Sequence, residues 1–238
     1  MKVYLNEITG IADMIISMYF SKRTWTRELE NYIRQLCYEC TNRDGSVISN
    51  APRADVFNLE LNKAIKWCPK HITLGRFMDF SITVEGLHRA GQDDWDAHAK
   101  RFDNRIIRSS TRLATYDNEM SDYYKGKILP TDIALAALGI TTPEELIFEG
   151  QKYVRTTNGY IREDMKDNKD VKRGLYMLSI PSNFIFKIDL TEWSHVYKER
   201  NTFGSANPEV KECCEQICDQ LESFIPQLTR ELFSNIKN

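Results

Sequence analysis

Four arginines at helical spacing form the group in this sequence with the clearest chemical potential. They are Arg101, Arg105, Arg108 and Arg112. Separations of four, three and four residues place their guanidinium groups on one face of a predicted helix, where like charges repel unless an anion neutralises them. Guanidinium groups match phosphate oxygens bidentately, and the hydroxyls of Ser110 and Thr111 could donate to the same anion. The spacing therefore predicts a phosphate or pyrophosphate clamp, with a solvated face paired to the chain's own carboxylates as the alternative.

A fifth arginine, Arg200, ends a predicted helix and precedes a polar loop at 201–205. In that position an arginine either pairs with the helix C-terminus, which contributes about 0.3–1 kcal/mol, or projects into a site. Both alternatives stay open at this point.

The remaining reactive residue types form no recognisable catalytic or metal-binding motif. Cys37 and Cys40 have metal-ligand spacing, but both lie on the apolar stripe of a predicted helix, and no second pair at loop-like spacing follows. Their position predicts buried thiols. The four histidines are scattered, no phosphate-loop, zinc-protease or Rossmann pattern occurs, and the acids at 93–96 are expected at a helix start. We therefore expect no metal site.

Composition narrows the class of protein. The 238 residues carry 32 Lys and Arg against 34 Asp and Glu, a formal net charge of −2, and 42% are hydrophobic. These values predict a globular chain and argue against a general nucleic-acid or membrane-surface binder. Neither an export signal nor an apolar run of about 18 residues occurs. We expect a cytoplasmic protein with no membrane partner and no nucleic-acid partner.

Periodicity predicts the elements that must position these residues. Apolar residues at spacings of three and four indicate amphipathic helices, and strict alternation indicates half-buried strands. The predicted strands are Met1–Leu5, Met78–Glu85 and Ser182–Leu190. The predicted helices are a segment through Met18, Thr26–Cys40, Ala54–Trp67, Asp93 to beyond Arg112, Asp132–Leu138, Thr142–Tyr153, Asp164–Leu175, Thr191–Arg200 with Thr191 as its cap, and one from Pro208 to Pro226. We expect a helix-dominated α+β fold with a small central sheet, formed by residues 1–238 as one domain.

Two stretches of the chain follow the order and spacing of known motifs. Arg173–Leu178, the strand Phe184–Asp189, Trp193–Arg200 and Ala206–Val210 form the first stretch, and Ser110–Arg112 lies in the second. The first resembles an Arg-x-x-Leu-Pro element, a strand, a Leu-x-x-Arg helix end and an Ala-Gln-x-Glu-Ile helix start. The second resembles the Ser-x-Arg that closes the signature R-H-R-x-x-S-x-N-E-x-S-x-R. Both sets belong to the flavin-dependent thymidylate synthases, the ThyX family, and the resemblance covers most of 68–233.

The resemblance implies a fold, an activity and ligands. It implies a ThyX-like homotetramer that binds FAD, NADPH, methylene-tetrahydrofolate and a pyrimidine nucleotide, dUMP. In the family, reduced flavin supplies hydride and the folate supplies a one-carbon unit to C5 of the uracil ring, which is a methyltransferase reaction. The implied substrate-binding residues are Ser110, Thr111, Arg112 and, against the pyrimidine, Arg200. The implied cofactor-binding residues are His71, His98, Arg101, Arg105 and Arg108.

The sequence departs from the family pattern at positions that bear on the chemistry. Counting back from Arg112, the Asn-Glu pair of the signature falls on Ile107 and Arg108, and an inserted segment would make His98 the signature histidine. Phe77 and Asn183 stand where the family has a histidine and an arginine. An arginine in place of a glutamate reverses the local charge, which changes the ligands that a site tolerates.

Three hypotheses follow. The first is an enzyme that transfers a one-carbon unit to C5 of a pyrimidine deoxynucleotide, either dUMP to dTMP or a hydroxymethylating variant. The second is a ThyX-fold nucleotide-binding protein that lacks this chemistry. The third is a helical interaction protein with no small-molecule site. The ordered motif match and the arginine row favour the first.

Overall fold

A four-stranded antiparallel sheet lies at the centre of the fold, and three further strands form a second antiparallel sheet. The computed structural model describes residues 1–96, 105–109, 121–124, 127, 129, 131–156, 159–168, 178–202 and 207–235. The strands are β1 (Lys2–Thr9), β2 (Asp79–His88), β3 (Arg105–Arg108), β4 (Glu145–Phe148), β5 (Gln151–Thr156), β6 (Gly159–Arg162) and β7 (Pro181–Asp189). The central sheet has the strand order β1-β2-β7-β3, and the second sheet has the order β4-β5-β6.

The described residues also form helices. They are α1 (Ile11–Ser21), α2 (Arg27–Cys40), α3 (Ala54–Trp67), α4 (Arg89–Asp96), α5 (Thr131–Ala137), α6 (Leu190–Tyr197), α7 (Pro208–Phe224) and α8 (Arg230–Asn235). Short 3₁₀ helices occupy Ile72–Phe77 and Glu163–Met165, and a π-helical turn covers Lys198–Thr202. Each helix in the described part of the chain is too short or too polar to cross a lipid bilayer. The expected helix-dominated α+β class with a small central sheet is confirmed.

The central sheet has one buried face and one open face. Along β2 the side chains alternate between buried residues such as Phe80 and Ile82 and partly exposed residues such as Ser81 and Thr83, as the pleat of a strand requires. The buried face packs on helices: Trp95 of α4 lies 5.1 Å from Phe186 of β7 between ring centroids. This alternation is the pattern that predicted β2, and β7 repeats it.

Several sequence predictions are confirmed closely. α2 begins after Thr26, whose hydroxyl accepts a hydrogen bond from Leu29 N at 3.1 Å, and α3 has the predicted bounds. α1 begins after Gly10, which adopts a left-handed conformation with φ of 81°. A Cβ at this position would lie 1.7 Å from the carbonyl oxygen of Phe77, so both the backbone angle and the close approach require glycine.

The predicted helix from Asp93 to beyond Arg112 is wrong. α4 ends at Asp96, and Arg105–Arg108 form β3, which pairs antiparallel with β7. The strand contains two adjacent β-branched residues, Ile106 and Ile107, that favour extended backbone. Pairing with a strand distant in sequence therefore outweighs the helical spacing of the arginines.

The predicted helix Thr142–Tyr153 is also wrong, because the segment forms the β4–β5 hairpin. Glu149 and Gly150 at its turn have φ angles of 50° and 73°, the left-handed pair that a two-residue hairpin turn uses. Thr191 does not cap α6: Asp189 accepts the hydrogen bond from Glu192 N at 2.8 Å. The helix predicted at Asp164–Leu175 begins with 3₁₀ structure at Glu163–Met165, and 169–177 lie outside the described residues.

Candidate functional site

Arg105 and Arg108 do not lie on one face of a helix. They are three residues apart in β3, and alternation along a strand places them on opposite faces of the sheet. Arg105 lies on the open face, where its guanidinium donates to both carboxylate oxygens of Asp79 at 2.9 and 3.0 Å. Arg108 lies on the helix-covered face. The predicted clamp of four parallel guanidinium groups is therefore wrong for these two arginines, and Asp79 neutralises Arg105.

The structure instead brings Arg108 and Arg200 to the C-terminal turn of α4. Arg108 donates to Asp93 Oδ1 at 2.8 Å and to the carbonyl oxygen of Gln92 at 2.9 Å. Arg200 donates to the carbonyl oxygen of Asp94. Because the end of a helix carries partial negative charge, two cations at this turn stabilise it. Two predicted site residues from distant parts of the chain thus share one short helical turn.

Arg200 is displayed on the π-helical turn Lys198–Thr202, directly after α6. π-helical turns are rare and occur frequently at functional sites. The remaining predicted residues His98, Arg101, Ser110, Thr111 and Arg112 lie outside the described residues. Their segments start next to the elements just named: 97–104 follows α4 and 110–120 follows Ser109.

His71 lies in a different group, at the end of α3. Its exposed ring stacks on Trp67 with a centroid distance of 5.1 Å. The ammonium groups of Lys22 and Lys70 lie 4.6 and 5.2 Å from the centroid of the same indole, close enough for cation–π attraction. The indole N–H donates to Ser21 Oγ at 3.4 Å. We name these five residues the Trp67 corner; it is a cationic and aromatic surface at the junction of α1 and α3.

An open cleft of about 310 Å³ lies on the exposed face of the central sheet. Its lining is Thr83, Glu85, Ile107, Arg108, Ser109, Asn183, Phe184 and Ile185. The side chains of Ile107 and Ile185 are unusually exposed for isoleucine, at 74% and 44%. Ile107, Arg108 and Asn183, three positions at which the chain departs from the family pattern, therefore line one cavity, and Ser109 in the same lining directly precedes the predicted substrate-binding residues 110–112.

A buried cluster of polar residues joins three segments of the chain, namely the end of β2, Ser121 and the first turn of α7. His88, at the end of β2, donates from its backbone to Glu209 Oε2 at 3.3 Å, and its ring Nδ1 contacts the same carboxylate. Ser121 Oγ donates to the other oxygen of Glu209 at 3.4 Å. All three residues are buried. Glu209 lies in the first turn of α7. The cluster therefore fixes Ser121, which follows 110–120, and the start of α7, which follows 203–206.

The other end of β2 carries an acidic pair. Asp79 and Asp189 are cross-strand neighbours, and Arg76 Nε lies 3.7 Å from Asp189 Oδ2. Burial raises the pKa of the Asp189 carboxyl to about 6, because the low-dielectric interior disfavours the charged form. Asp189 is therefore a buried group that titrates close to neutral pH.

The expectation about cysteines is confirmed. All six, including Cys37 and Cys40, are buried free thiols. Burial raises the pKa of Cys37 to about 12, which keeps the thiol protonated. Among the described residues no group of three or more His, Cys, Asp or Glu side chains is arranged to hold a metal ion.

Comparison with known proteins gives a structural match without a sequence match. No protein-family model and no curated protein matches the chain. Two crystal structures of Helicobacter pylori thymidylate synthase X, each with FAD and dUMP, are similar to it at 11% sequence identity. One has a TM-score of 0.56 and covers 98% of this chain and 99% of its own; the other has 0.55 and covers both chains completely. The fold is ThyX-like.

Sequence reasoning missed two features of this ThyX-like chain. Glu85 was predicted only as the end of a strand, and the alternation along Ser182–Leu190 grouped Ile185 with the polar residues Lys187 and Asp189. The only sequence clue to the Trp67 corner was that a lysine and a histidine follow Trp67 within four residues. This spacing places both residues within about one helical turn of the end of α3. Lys22 joins it through tertiary packing and carries no local clue.

Proposed function

We propose that the chain is a flavin-dependent enzyme that transfers a one-carbon unit from methylene-tetrahydrofolate to C5 of a pyrimidine deoxynucleotide, with FAD as its flavin and NADPH as reductant. The observation that carries the proposal is the match along the whole chain to two structures whose bound molecules are FAD and dUMP. The ordered motifs at 173–210 support it independently. We further propose the dUMP to dTMP reaction or its hydroxymethylating variant, carried out by a homotetramer.

The residues of the Trp67 corner fit a dinucleotide cofactor. FAD combines a pyrophosphate with two aromatic ring systems, and the corner combines the cations Lys22 and Lys70 with the rings of Trp67 and His71. Ammonium groups bind phosphate as point charges, and aromatic rings stack on heterocycles. We assign Lys22 and Lys70 to the anionic part of the cofactor and His71 to its ring. When bound, the reduced flavin supplies hydride to the reaction.

We assign the nucleotide to the region around Arg108 and Arg200, at the C-terminal turn of α4. Arg200 lies against the last turn of α4, beside the start of 97–104, and we assign its guanidinium to the pyrimidine ring. Ser110, Thr111 and Arg112 are assigned to the nucleotide phosphate on the resemblance. Arg108 is held by Asp93 and Gln92, so we assign it the role of fixing the end of β3, which 110–112 follow in the chain, against the end of α4.

The test begins with an absorbance spectrum of the purified protein and continues with tritium release from dUMP labelled at C5. We expect flavin absorbance, or flavin uptake on reconstitution, and tritium release that needs folate and reductant. Lys70→Gln should weaken flavin binding about tenfold, the loss of one charge-assisted contact, whereas Lys66→Gln, an exposed lysine on the last turn of α3, should leave it unchanged. A protein that takes up no flavin and releases no tritium would contradict the proposal.

A further inference from the structure

Two polar side chains, those of Glu85 and Asn183, lie at the edge of the cleft on the open face of the sheet. We call this pair the rim of the cleft. Val84 pairs with Phe184 and Leu87 with Ser182, so Glu85 and Gly86 together face the single residue Asn183. This is a β-bulge, and Gly86 supports it with a left-handed φ of 80°. Bulges next to binding sites re-aim side chains. Here the bulge places Glu85 and Asn183 side by side in the lining of one cavity.

Hydrogen bonds fix which atoms of the rim remain available. Gly86 N donates to Asn183 Oδ1 at 3.0 Å, which orients the amide and leaves its NH₂ group as the donor. Tyr4 OH approaches Glu85 Oε2 at 3.5 Å, while Oε1 of this exposed carboxylate accepts from no group in the described part of the chain and can serve as an acceptor. Asn6 donates to Thr83 Oγ1 at 2.9 Å. The rim therefore offers one anionic acceptor next to one neutral donor.

The walls of the cleft suit a flat ring. Ile107 and Ile185 are cross-strand partners on the open face, and together they expose a broad apolar surface. Ser109 N donates to Asn183 O at 2.8 Å, which closes the β3 side of the cavity. A volume of about 310 Å³ is at the small end of ligand pockets and suits one or two fused rings.

We propose that this cleft is a binding subsite for a heterocyclic ring with a lactam edge, that is, a ring N–H next to a carbonyl. The N–H would donate to the Glu85 carboxylate, and Asn183 Nδ2 would donate to the carbonyl oxygen. Ile107 and Ile185 would contact the face of the ring. An anionic phosphate is disfavoured because Glu85 would repel it.

Uracil, pterin and isoalloxazine rings all have a lactam edge; since the proposed function assigns the pyrimidine ring to Arg200 and the flavin ring to His71, tetrahydrofolate is the expected ligand, and dUMP and FMN are the comparison ligands. The inference rests on the proposed function only for this choice of probes. Titration calorimetry of each ligand against the wild type and against Glu85→Gln identifies the ring that the cleft takes, because binding elsewhere in the chain does not depend on Glu85. For that ligand, the analogue methylated at the lactam nitrogen should bind at least tenfold more weakly, since the N–H donor is lost.

Variants locate the interaction. Glu85→Gln should weaken binding about tenfold, because a carboxylate accepts more strongly than an amide. Glu7→Gln is the matched control: its carboxylate lies on the same sheet, 3.9 Å from Lys187 and outside the lining, and its removal should not change binding. Ile185→Trp should abolish binding by filling the cleft, with thermal unfolding showing that the fold is retained.

Two results would overturn the subsite. One is that none of the three ligands binds; the other is that Glu85→Gln and Ile185→Trp bind as tightly as the wild type. Because flavin retention at the Trp67 corner is read from absorbance and Lys70→Gln, this failure is distinguishable from failure of the proposed function. If the protein retains flavin but Glu85→Gln does not change ring binding, the subsite alone is refuted. If the protein takes up no flavin but still binds one of the rings and loses that binding in Glu85→Gln, the proposed function alone is refuted.

Discussion

Replacing the buried Asp189 by asparagine should stabilise the protein, and the gain should depend on pH. The residue is only 4% exposed, and its side-chain oxygen caps α6 by accepting from Glu192 N at 2.8 Å. Asparagine keeps this cap oxygen and ranks with aspartate as an N-cap residue. The variant therefore removes a buried charge while preserving the local hydrogen bond.

The magnitude follows from the pKa of the carboxyl. Burial raises it from 3.8 to about 6, and one pKa unit corresponds to about 1.4 kcal/mol, which gives about 3 kcal/mol. Below pH 3.8 the carboxyl is protonated in both the folded and unfolded chains, and no cost arises. Between pH 3.8 and 6 only the unfolded chain ionises, so the wild type loses this stability as pH rises. The asparagine variant has no such loss.

Urea denaturation at pH 4.5, 5.5, 6.5 and 7.5, followed by circular dichroism, measures the effect. The free energy of unfolding of Asp189→Asn, relative to the wild type, should rise with pH and level off above pH 6.5. The free energy of unfolding of Asp189→Ala should show the same pH dependence but lie about 1 kcal/mol below that of Asp189→Asn at every pH, because alanine removes the cap. A difference between variant and wild type that is constant from pH 4.5 to 7.5 would refute the buried-charge reasoning.

Three further outcomes test the fold. Gly10→Ala should destabilise the chain by at least about 3 kcal/mol in urea denaturation, because backbone strain adds to a direct clash, whereas Gly139→Ala, with a left-handed φ but open space around it, should cost about 1 kcal/mol; equal losses would contradict the contact. Thr26→Ala should lower the free energy of unfolding by about 1 kcal/mol, and an unchanged denaturation midpoint would exclude the cap. Since burial raises the pKa of Cys37 and Cys68 to about 12, a thiol reagent at pH 8 should label the native protein slowly and the urea-unfolded protein at once; rapid native labelling would show accessible thiols.

Local periodicity was sufficient for elements whose burial follows their own sequence. α3 has the bounds that its apolar residues predicted, and β2 and β7 alternate between a helix-covered and an open face as read from the sequence. β3 shows the limit of this approach. Its arginines have helical spacing, but its conformation is decided by pairing with β7, and no local pattern reveals a partner so distant in the chain.

The candidate site divides in the same way. The resemblance placed Arg200 next to a binding region, and the structure puts it against the same turn of α4 as Arg108. Arg105 belonged to the predicted clamp but pairs with Asp79, since alternation in a strand sends it to the other face. The sequence did not predict that Glu85 lines the cleft. Its orientation is set by a β-bulge, which depends on Gly86 and on pairing with the opposite strand.

The burial of every native cysteine has a practical consequence for studying this molecule. A cysteine introduced at the exposed position Lys2, the β1 partner of Glu85 and outside the lining of the cleft, would be the readily accessible thiol of the folded chain. A fluorophore or spin label could then be attached beside the cleft without first deleting the native cysteines, which would leave the packing of α2 and α7 undisturbed. Ligand occupancy would be visible as a change in emission or in label motion, even in a crude preparation.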